Sequence, residues 1–302
     1  MTTPWDCIVV GAGAAGLSAG LVLGRARRTT LIIDAGAQSN RVADGIGGLL
    51  GHDTRAPAAL YATGRDELAA YPTVELRAGE VVRGHRGDDR FTLELADGSR
   101  EHARRVLLAT GMHYRIPDLP GAAERWGHSV FHCPFCHGWE NRDRPLGVLR
   151  RGGSLLLRAW SDDVTLYTDG PSDLSADERD RLTAAGVALE ERRVTALHGP
   201  GGALSEIELV DGTRRPCGGL LMPFTLHQRD GLAEQLGAAA APPGPVAADG
   251  LEVDATLATT VPGLFAAGDV SAHVPSVPGA IAAGQQAAAM LVVGLMTEPE
   301  GA

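Results

Sequence analysis

Cys133-Pro134-Phe135-Cys136-His137 places two thiols two residues apart with an imidazole directly behind them. Cysteines at that spacing can close a small disulfide, and a neighbouring base or helix N-terminus can lower a thiol pKa enough for thiolate attack near neutral pH. The pattern reads as a redox-active dithiol, with Cys133 and Cys136 as exchanging sulfurs and His137 as proton acceptor. The competing chemistry is half of a zinc site, which needs a second pair of Cys or Cys/His ligands. Cys7 falls in the apolar run Asp6-Cys7-Ile8-Val9-Val10, and Cys217 is isolated in a turn-rich segment. His132 and His137 flank the pair too closely to wrap one tetrahedral ion with it. No metal is expected.

The second chemistry-bearing segment is Gly11-Ala12-Gly13-Ala14-Ala15-Gly16. It follows an apolar strand over 6–10 and opens a small-residue helix to about Leu23; a second strand over 29–33 ends at Asp34. In this βαβ order Gly11 permits the tight turn and Gly13 lets backbone approach a pyrophosphate. Gly16 lets helix and strand pack closely, while the helix N-terminus favours phosphate charge. Asp34, 23 residues after Gly11, is placed to accept a ribose hydroxyl. The spacing predicts dinucleotide binding.

Two further segments read as copies of one module. Leu95-Ala96-Asp97-Gly98-Ser99-Arg100 precedes Leu107-Leu108, and Leu209-Val210-Asp211-Gly212-Thr213-Arg214 precedes Leu221-Met222, both at an offset of 114 residues. Each reads as strand, Asp-Gly turn, returning strand and short apolar strand, which implies duplication of a nucleotide-binding domain. The expected fold class is α/β with two dinucleotide-binding-type domains. In the second copy the strands should run over 145–149 and 163–168, joined by Arg150-Arg151-Gly152-Gly153-Ser154 and a helix over 155–160. No G-x-G-x-x-G stands there, and Asp169-Gly170-Pro171 follows without an arginine cluster for the 2′-phosphate of NADPH. Ala241-Pro242-Pro243-Gly244-Pro245 reads as the return linker between domains.

A chain of 302 residues can bury a substantial core. Its 37 acidic against 27 basic residues, net −10, argue against a nucleic-acid footprint and against attraction to anionic membranes. The N-terminus lacks the basic stretch and cleavage site of a signal peptide, so the cytoplasm is the expected location. Four cysteines at this length do not make a disulfide scaffold, and a Cys-x-x-Cys pair in a reducing compartment reads as catalytic. The apolar stretch 279–296 is interrupted by Gly284, Gln285, Gln286 and Gly294, so it reads as a docked helix and not a membrane span.

Gly11–Gly16, Ala109-Thr110-Gly111, the Cys133/Cys136 pair and Gly263-Leu264-Phe265-Ala266-Ala267-Gly268-Asp269-Val270 resemble low-molecular-weight thioredoxin reductases, in the same order and across nearly the whole chain. The resemblance implies an FAD domain from both chain ends, 1–114 and 247–302, and an inserted domain, 115–246, carrying the redox pair. It implies FAD contacts at the first turn from Gly11, Gly13, Ala14, Ala15 and Gly16, with Asp34. It adds Asn40, Arg41 and His52 from the following loop, then Val82, Ala109, Thr110 and Gly111. Late in the chain it adds Gly268, Ala280 and Asp269, the last on the flavin ribityl chain. Cys136 is implied as the flavin-proximal sulfur, and the assembly as a homodimer.

Three departures set a branch. The nicotinamide fingerprint is missing, His137 follows the second cysteine where the reductases carry an acid, and Pro278-Gly279 replaces an arginine-glutamine before the last helix. Together they resemble the dithiol oxidases that close disulfides in small natural products of the gliotoxin and holomycin kind. That branch implies a small-molecule dithiol as substrate, with electrons passing through the cysteine pair and FAD to O2 to give H2O2, and no need of NADPH. Three alternatives stay open: an NADPH-dependent disulfide reductase with a divergent nicotinamide site, reduction by a carrier such as ferredoxin, and a non-catalytic flavin redox sensor. His137 beside the pair favours an enzyme. His273 reads equally as a second base or a surface residue. His132 is expected to be structural, and Trp139 to pack beneath the redox loop.

Overall fold

The computed structural model describes residues 4–297 apart from Arg151, a member of the expected second turn. The chain forms two compact units. One comprises the chain up to Arg41, Ala58–Tyr114 and everything from Thr225 onward; the other comprises Val42–Pro57 and Arg115–Phe224. These limits correct the expected ones in two places. Residues 225–246 join the first unit, because strand Thr225–His227 pairs with His113–Arg115 and the helix Leu232–Gln235 packs on Gly84, whose N–H donates to Gln235 Oε1. The proline-rich segment is therefore a loop inside that unit, held by Ala241 N–H to Gly250 C=O at 2.7 Å, and not a linker between domains. Residues 42–57 join the second unit, where Asp44 lies 2.9 Å from His128 and Val42 fills the space beside Gly127.

The first unit opens with β1 (Trp5–Val10), α1 (Ala14–Arg25), β2 (Thr30–Asp34), α2 (Pro57–Leu68) and β3 (Val74–Ala78). The hairpin β4 (Val81–Arg86) and β5 (Phe91–Leu95) follows, then β6 (Arg100–Leu108). The sheet order is β3-β2-β1-β6-β5-β4, with Leu264–Ala266 added beside β6. The strands β1, β2, β3 and β6 run parallel, and β4 to β6 form an antiparallel extension. Cys7, Ile8 and Val9 are fully buried, as a parallel strand covered on both faces requires. The final helix, Val277–Thr297, crosses α1 at Gly284, where a Cβ would lie 2.0 Å from the Ala15 carbonyl oxygen. By length and composition this helix could cross a membrane. Here it turns Ala287, Ala288, Leu291 and Leu295 into the core beside α1, as the reading of a docked helix anticipates.

The second unit repeats the plan. Its parallel sheet has the order Val187–Glu190, Val164–Tyr167, Leu146–Leu149, Gly219–Leu221, Val130–Phe131. Its antiparallel strands, Val194–His198, Glu206–Leu209 and Arg214–Pro216, form a separate three-stranded sheet, whereas β4 and β5 are continuous with the sheet of the first unit. The paired turns match in chemistry: Asp97 accepts from Ser99 N–H at 2.8 Å, and Asp211 from Thr213 N–H at 3.0 Å. The strand pair that precedes each of these turns also has one register shift, at Val81/Arg83 and at Val194/Ala196. The expected second-copy helix shrinks to Ser154–Leu157, a single turn where α1 has 12 residues.

Candidate active site and cofactor cradle

Cys133 and Cys136 form a disulfide with Cα atoms 5.3 Å apart. Cys133 is the N-cap of the one-turn helix Pro134–His137, and Pro134 fits its first position because no N–H is needed there. The N–H groups of Cys136 and His137 both donate to the Cys133 carbonyl at 3.2 Å. Buried Asn141 closes the far end by donating to the His137 carbonyl at 2.9 Å. Gly47 brings the 42–57 loop against Cys136, since a Cβ there would stand 2.8 Å from the Cys136 carbonyl oxygen. The tryptophan that packs on the loop is Trp160, edge-on to Phe135 and against Gly138. Trp139 does not pack beneath the loop as expected. It is 63% exposed, with the Arg142 guanidinium 3.8 Å over its ring.

His137 stacks on Phe131, and both its ring nitrogens are buried with no hydrogen-bond partner. An unsatisfied buried polar group costs about 1–3 kcal/mol, so its retention calls for a reason other than stability. Burial holds its pKa below the ordinary imidazole value, against the opposing pull of Glu140 and of the Gly127 and Cys133 carbonyls, which lie near the ring without meeting it in hydrogen-bond geometry. The ring is consequently neutral and able to take a proton at neutral pH. His132 sits between Trp126 and Phe224 with its pKa pushed down to about 4, first by burial and then by His137. That is the structural role expected of it.

In the first unit, the turn after β1 is shaped by what cannot fit. Gly11 has φ +102° and lies where a Cβ would be 2.4 Å from the Ala109 carbonyl oxygen; at Gly16 it would be 1.9 Å from that of Gly11. The N-cap of α1, Gly13, supplies no side-chain acceptor, and no acid stands in the first turn. The first N–H groups of an α-helix, here at Ala14, Ala15 and Gly16, have no carbonyl partner within the helix and can serve an anion. Asp34 closes the end of β2, accepting from Ala12 N–H at 3.2 Å and Gln38 Nε2 at 3.1 Å and pairing with Arg65 at 2.6 Å. Gln38 Oε1 is buried without a partner. Gly268, at φ +86°, lies where a Cβ would be 3.0 Å from that of Ala15 and 3.8 Å from that of Ala280. The early and late cradle residues therefore meet. The hollow that excludes Cβ atoms, the uncapped helix end and the orphaned Gln38 oxygen fit the pyrophosphate and ribose of FAD.

Asp269 accepts from the Tyr114 hydroxyl at 3.0 Å. Burial raises its pKa, and Tyr114 and Arg229 oppose the rise. Asn40 accepts from Tyr61 at 2.8 Å. Beyond Thr110, the Arg229 side chain lies 3.9 Å from where a Gly111 Cβ would be; it donates to Ser39 Oγ at 2.7 Å, which donates to the Met112 carbonyl at 2.8 Å. Gln38, Ser39, Tyr61, Tyr114 and Arg229 escaped the sequence reading. Gln38, one turn past Asp34, was the one with a positional signal. Arg41 is exposed and donates to the Gly36 carbonyl, Val82 is exposed at the edge-strand register shift, and His52 is an exposed residue of the second unit beside Arg55.

Among the described residues, the equivalent turn of the second unit shows no such cradle. Gly152 and Gly153 occupy positive φ ahead of the one-turn helix. Asp169, two residues beyond its strand Val164–Tyr167, accepts from Val194 N–H at 3.0 Å and Arg150 at 3.4 Å. Described arginines near these strand ends are held by acids: Arg192 by Glu190 and Asp211, Arg215 by Glu190, Arg179 by Glu191. Among the described residues, no cluster of three or more His, Cys, Asp or Glu could hold a metal ion.

The sequence profile of the pyridine nucleotide-disulphide oxidoreductases matches residues 5–287. A relative named thioredoxin reductase tcpT, from Claviceps purpurea, is 30% identical over 311 residues, spanning 98% of this chain and 96% of its own. Thioredoxin reductase aclD from Aspergillus oryzae is 32% identical over 307 residues, spanning 95% of each. An oxidoreductase from Agrobacterium tumefaciens superposes with a TM-score of 0.92 at 34% identity, over 98% of this chain and 100% of its own. HlmI superposes with a TM-score of 0.88 at 38% identity, over 97% and 93%.

Proposed function

The chain belongs to the pyridine nucleotide-disulphide oxidoreductase family, with a thioredoxin reductase-like fold and FAD as its cofactor, and from that premise we propose that it is a dithiol oxidase. It would close an intramolecular disulfide in a small-molecule dithiol and pass the electrons to O2, by the balance R(SH)2 + O2 → RS2 + H2O2. The observation that carries this reading is the second unit's turn. A redox disulfide sits in a domain whose nucleotide cradle is replaced by a positive-φ loop, a single helical turn and an acid engaged by Arg150 and Val194. Electrons then enter from the thiols of the substrate.

The Cys133–Cys136 disulfide is the oxidant the substrate meets. His137, kept neutral by burial, takes the proton of one substrate thiol, and the thiolate attacks Cys133. The bond between the cysteines breaks, Cys136 leaves as thiolate, and a mixed disulfide forms. The second substrate thiol attacks the sulfur of the first and passes its proton to the Cys133 thiolate that leaves, which releases the cyclic product. FAD, when bound, supplies two-electron acceptance from the cysteine pair and an outlet to dioxygen. Gly11 to Gly16, Asp34, Gly268 and Asp269 would hold it.

The relatives' names favour a second reading, an NADPH-dependent thioredoxin reductase. Anaerobic titration of the purified protein with NADPH, NADH and dithiothreitol separates the two. Flavin bleaching by the dithiol alone, with H2O2 appearing on admission of air, is expected. Rapid stoichiometric bleaching by NADPH would reject the oxidase.

A further inference from the structure

The acid that closes the late end of the cradle does not stand by itself. Asp269 is half-buried in the first unit, beyond the positive-φ turn at Gly268. Tyr114, from the strand His113–Arg115, donates to its Oδ2 at 3.0 Å. Arg229, just beyond Thr225–His227, is fixed by Ser39 Oγ at 2.7 Å, and Ser39 by the Met112 carbonyl at 2.8 Å. Tyr61 of α2 is the third titratable group in its field, and its own hydroxyl is committed to Asn40 at 2.8 Å. A buried carboxylate is disfavoured by desolvation and favoured by a hydrogen bond and a nearby cation. Tyr114 supplies the first directly, and Arg229, an exposed side chain held at Ser39, adds its charge to the field of Asp269.

We propose that Tyr114 and Arg229 are positioning residues that keep Asp269 ionised and oriented, so that retention of FAD depends on them through the charge of Asp269. This rests on the reading of Asp269 as an FAD ligand. A carboxylate accepts a ribityl hydroxyl hydrogen bond more strongly than a neutral acid does. Burial already raises the Asp269 pKa, with Tyr114 and Arg229 countering it, so removing either moves the pKa further up. As pH falls, protonation of Asp269 should then loosen FAD earlier in the variants than in the parent.

The test is the rate of FAD release from diluted holoprotein, followed by FAD fluorescence between about pH 5 and pH 8. The parent should release faster as pH falls. Tyr114→Phe and Arg229→Gln should shift that acceleration to higher pH and speed release at neutral pH by about tenfold or more, as expected when a hydrogen bond or charge on a buried ion is lost. Asp269→Asn should release rapidly at every pH. If Tyr114→Phe and Arg229→Gln keep the parental pH midpoint while Asp269→Asn loses FAD, the positioning role is overturned and the ligand role stands. A uniform loss in either variant with an unmoved midpoint is a packing effect and also overturns it. If Asp269→Asn keeps the parental curve, both readings fall.

Discussion

At the scale of single residues, His137 carries the sharpest prediction. Its ring is buried, unpartnered and held below the ordinary imidazole pKa, so the neutral base persists to lower pH than a free imidazole. Activity should fall as pH drops through that value, placing the acid limb below about 6.5. Loss of a general base costs ~100- to 10,000-fold, so His137→Ala should lower dithiol oxidation by that order without loss of FAD and should abolish the limb. Near-parental turnover in His137→Gln, with the limb unchanged, would leave the residue only a turn-shaping part. The two cysteines give a second test. With Cys136 as the flavin-proximal thiol, Cys133→Ser should show long-wavelength thiolate-to-flavin absorbance and Cys136→Ser should not; the opposite pattern reverses the assignment. The cysteine spacing and adjacent imidazole are contiguous in the chain and so legible there. Which tryptophan packs on the loop was not, because Trp160 reaches Phe135 from beyond a separate strand.

At the scale of elements, the crossing of α1 and the final helix ties the cradle together. Gly284 admits the Ala15 carbonyl at a distance that leaves no room for a methyl group, whereas Gly294, ten residues on, has nothing within 4 Å. Overpacking typically costs about 1–3 kcal/mol, so Gly284→Ala should lower the unfolding temperature and the FAD content together, because Ala15 and Ala280 line the Gly268 turn. Gly294→Ala in the same helix should be neutral or gain up to about 1 kcal/mol from helix propensity. Thermal unfolding with flavin absorbance checks both. The duplicated hairpins were readable because an Asp-Gly turn is local chemistry. The shortening of the second-unit helix to Ser154–Leu157 was only half visible, since the missing fingerprint shows in the sequence but the single turn does not.

At the scale of the whole molecule, we propose that the protein is a homodimer using the outward side of the final helix, where Val293 and Met296 are 52% and 65% exposed. Light scattering at micromolar concentration should return twice the 31.4 kDa chain mass; a monomer mass rejects the proposal. The βαβ turn at Gly11 to Gly16, the redox pair, the duplication and the loss of the second fingerprint were all legible along the chain. Each depends on residues close together in the chain, where steric demand or bond geometry admits few residue types. Tertiary structure decided the rest. It returned residues 225–246 to the first unit, because Leu232–Gln235 docks on Gly84, 151 residues from Gln235. It also brought Tyr114 to Asp269 across 155 residues and Arg229 to Ser39 across 190. Such encounters follow from how sheets and helices stack, and a tyrosine or arginine gives no local sign of the acid it will meet.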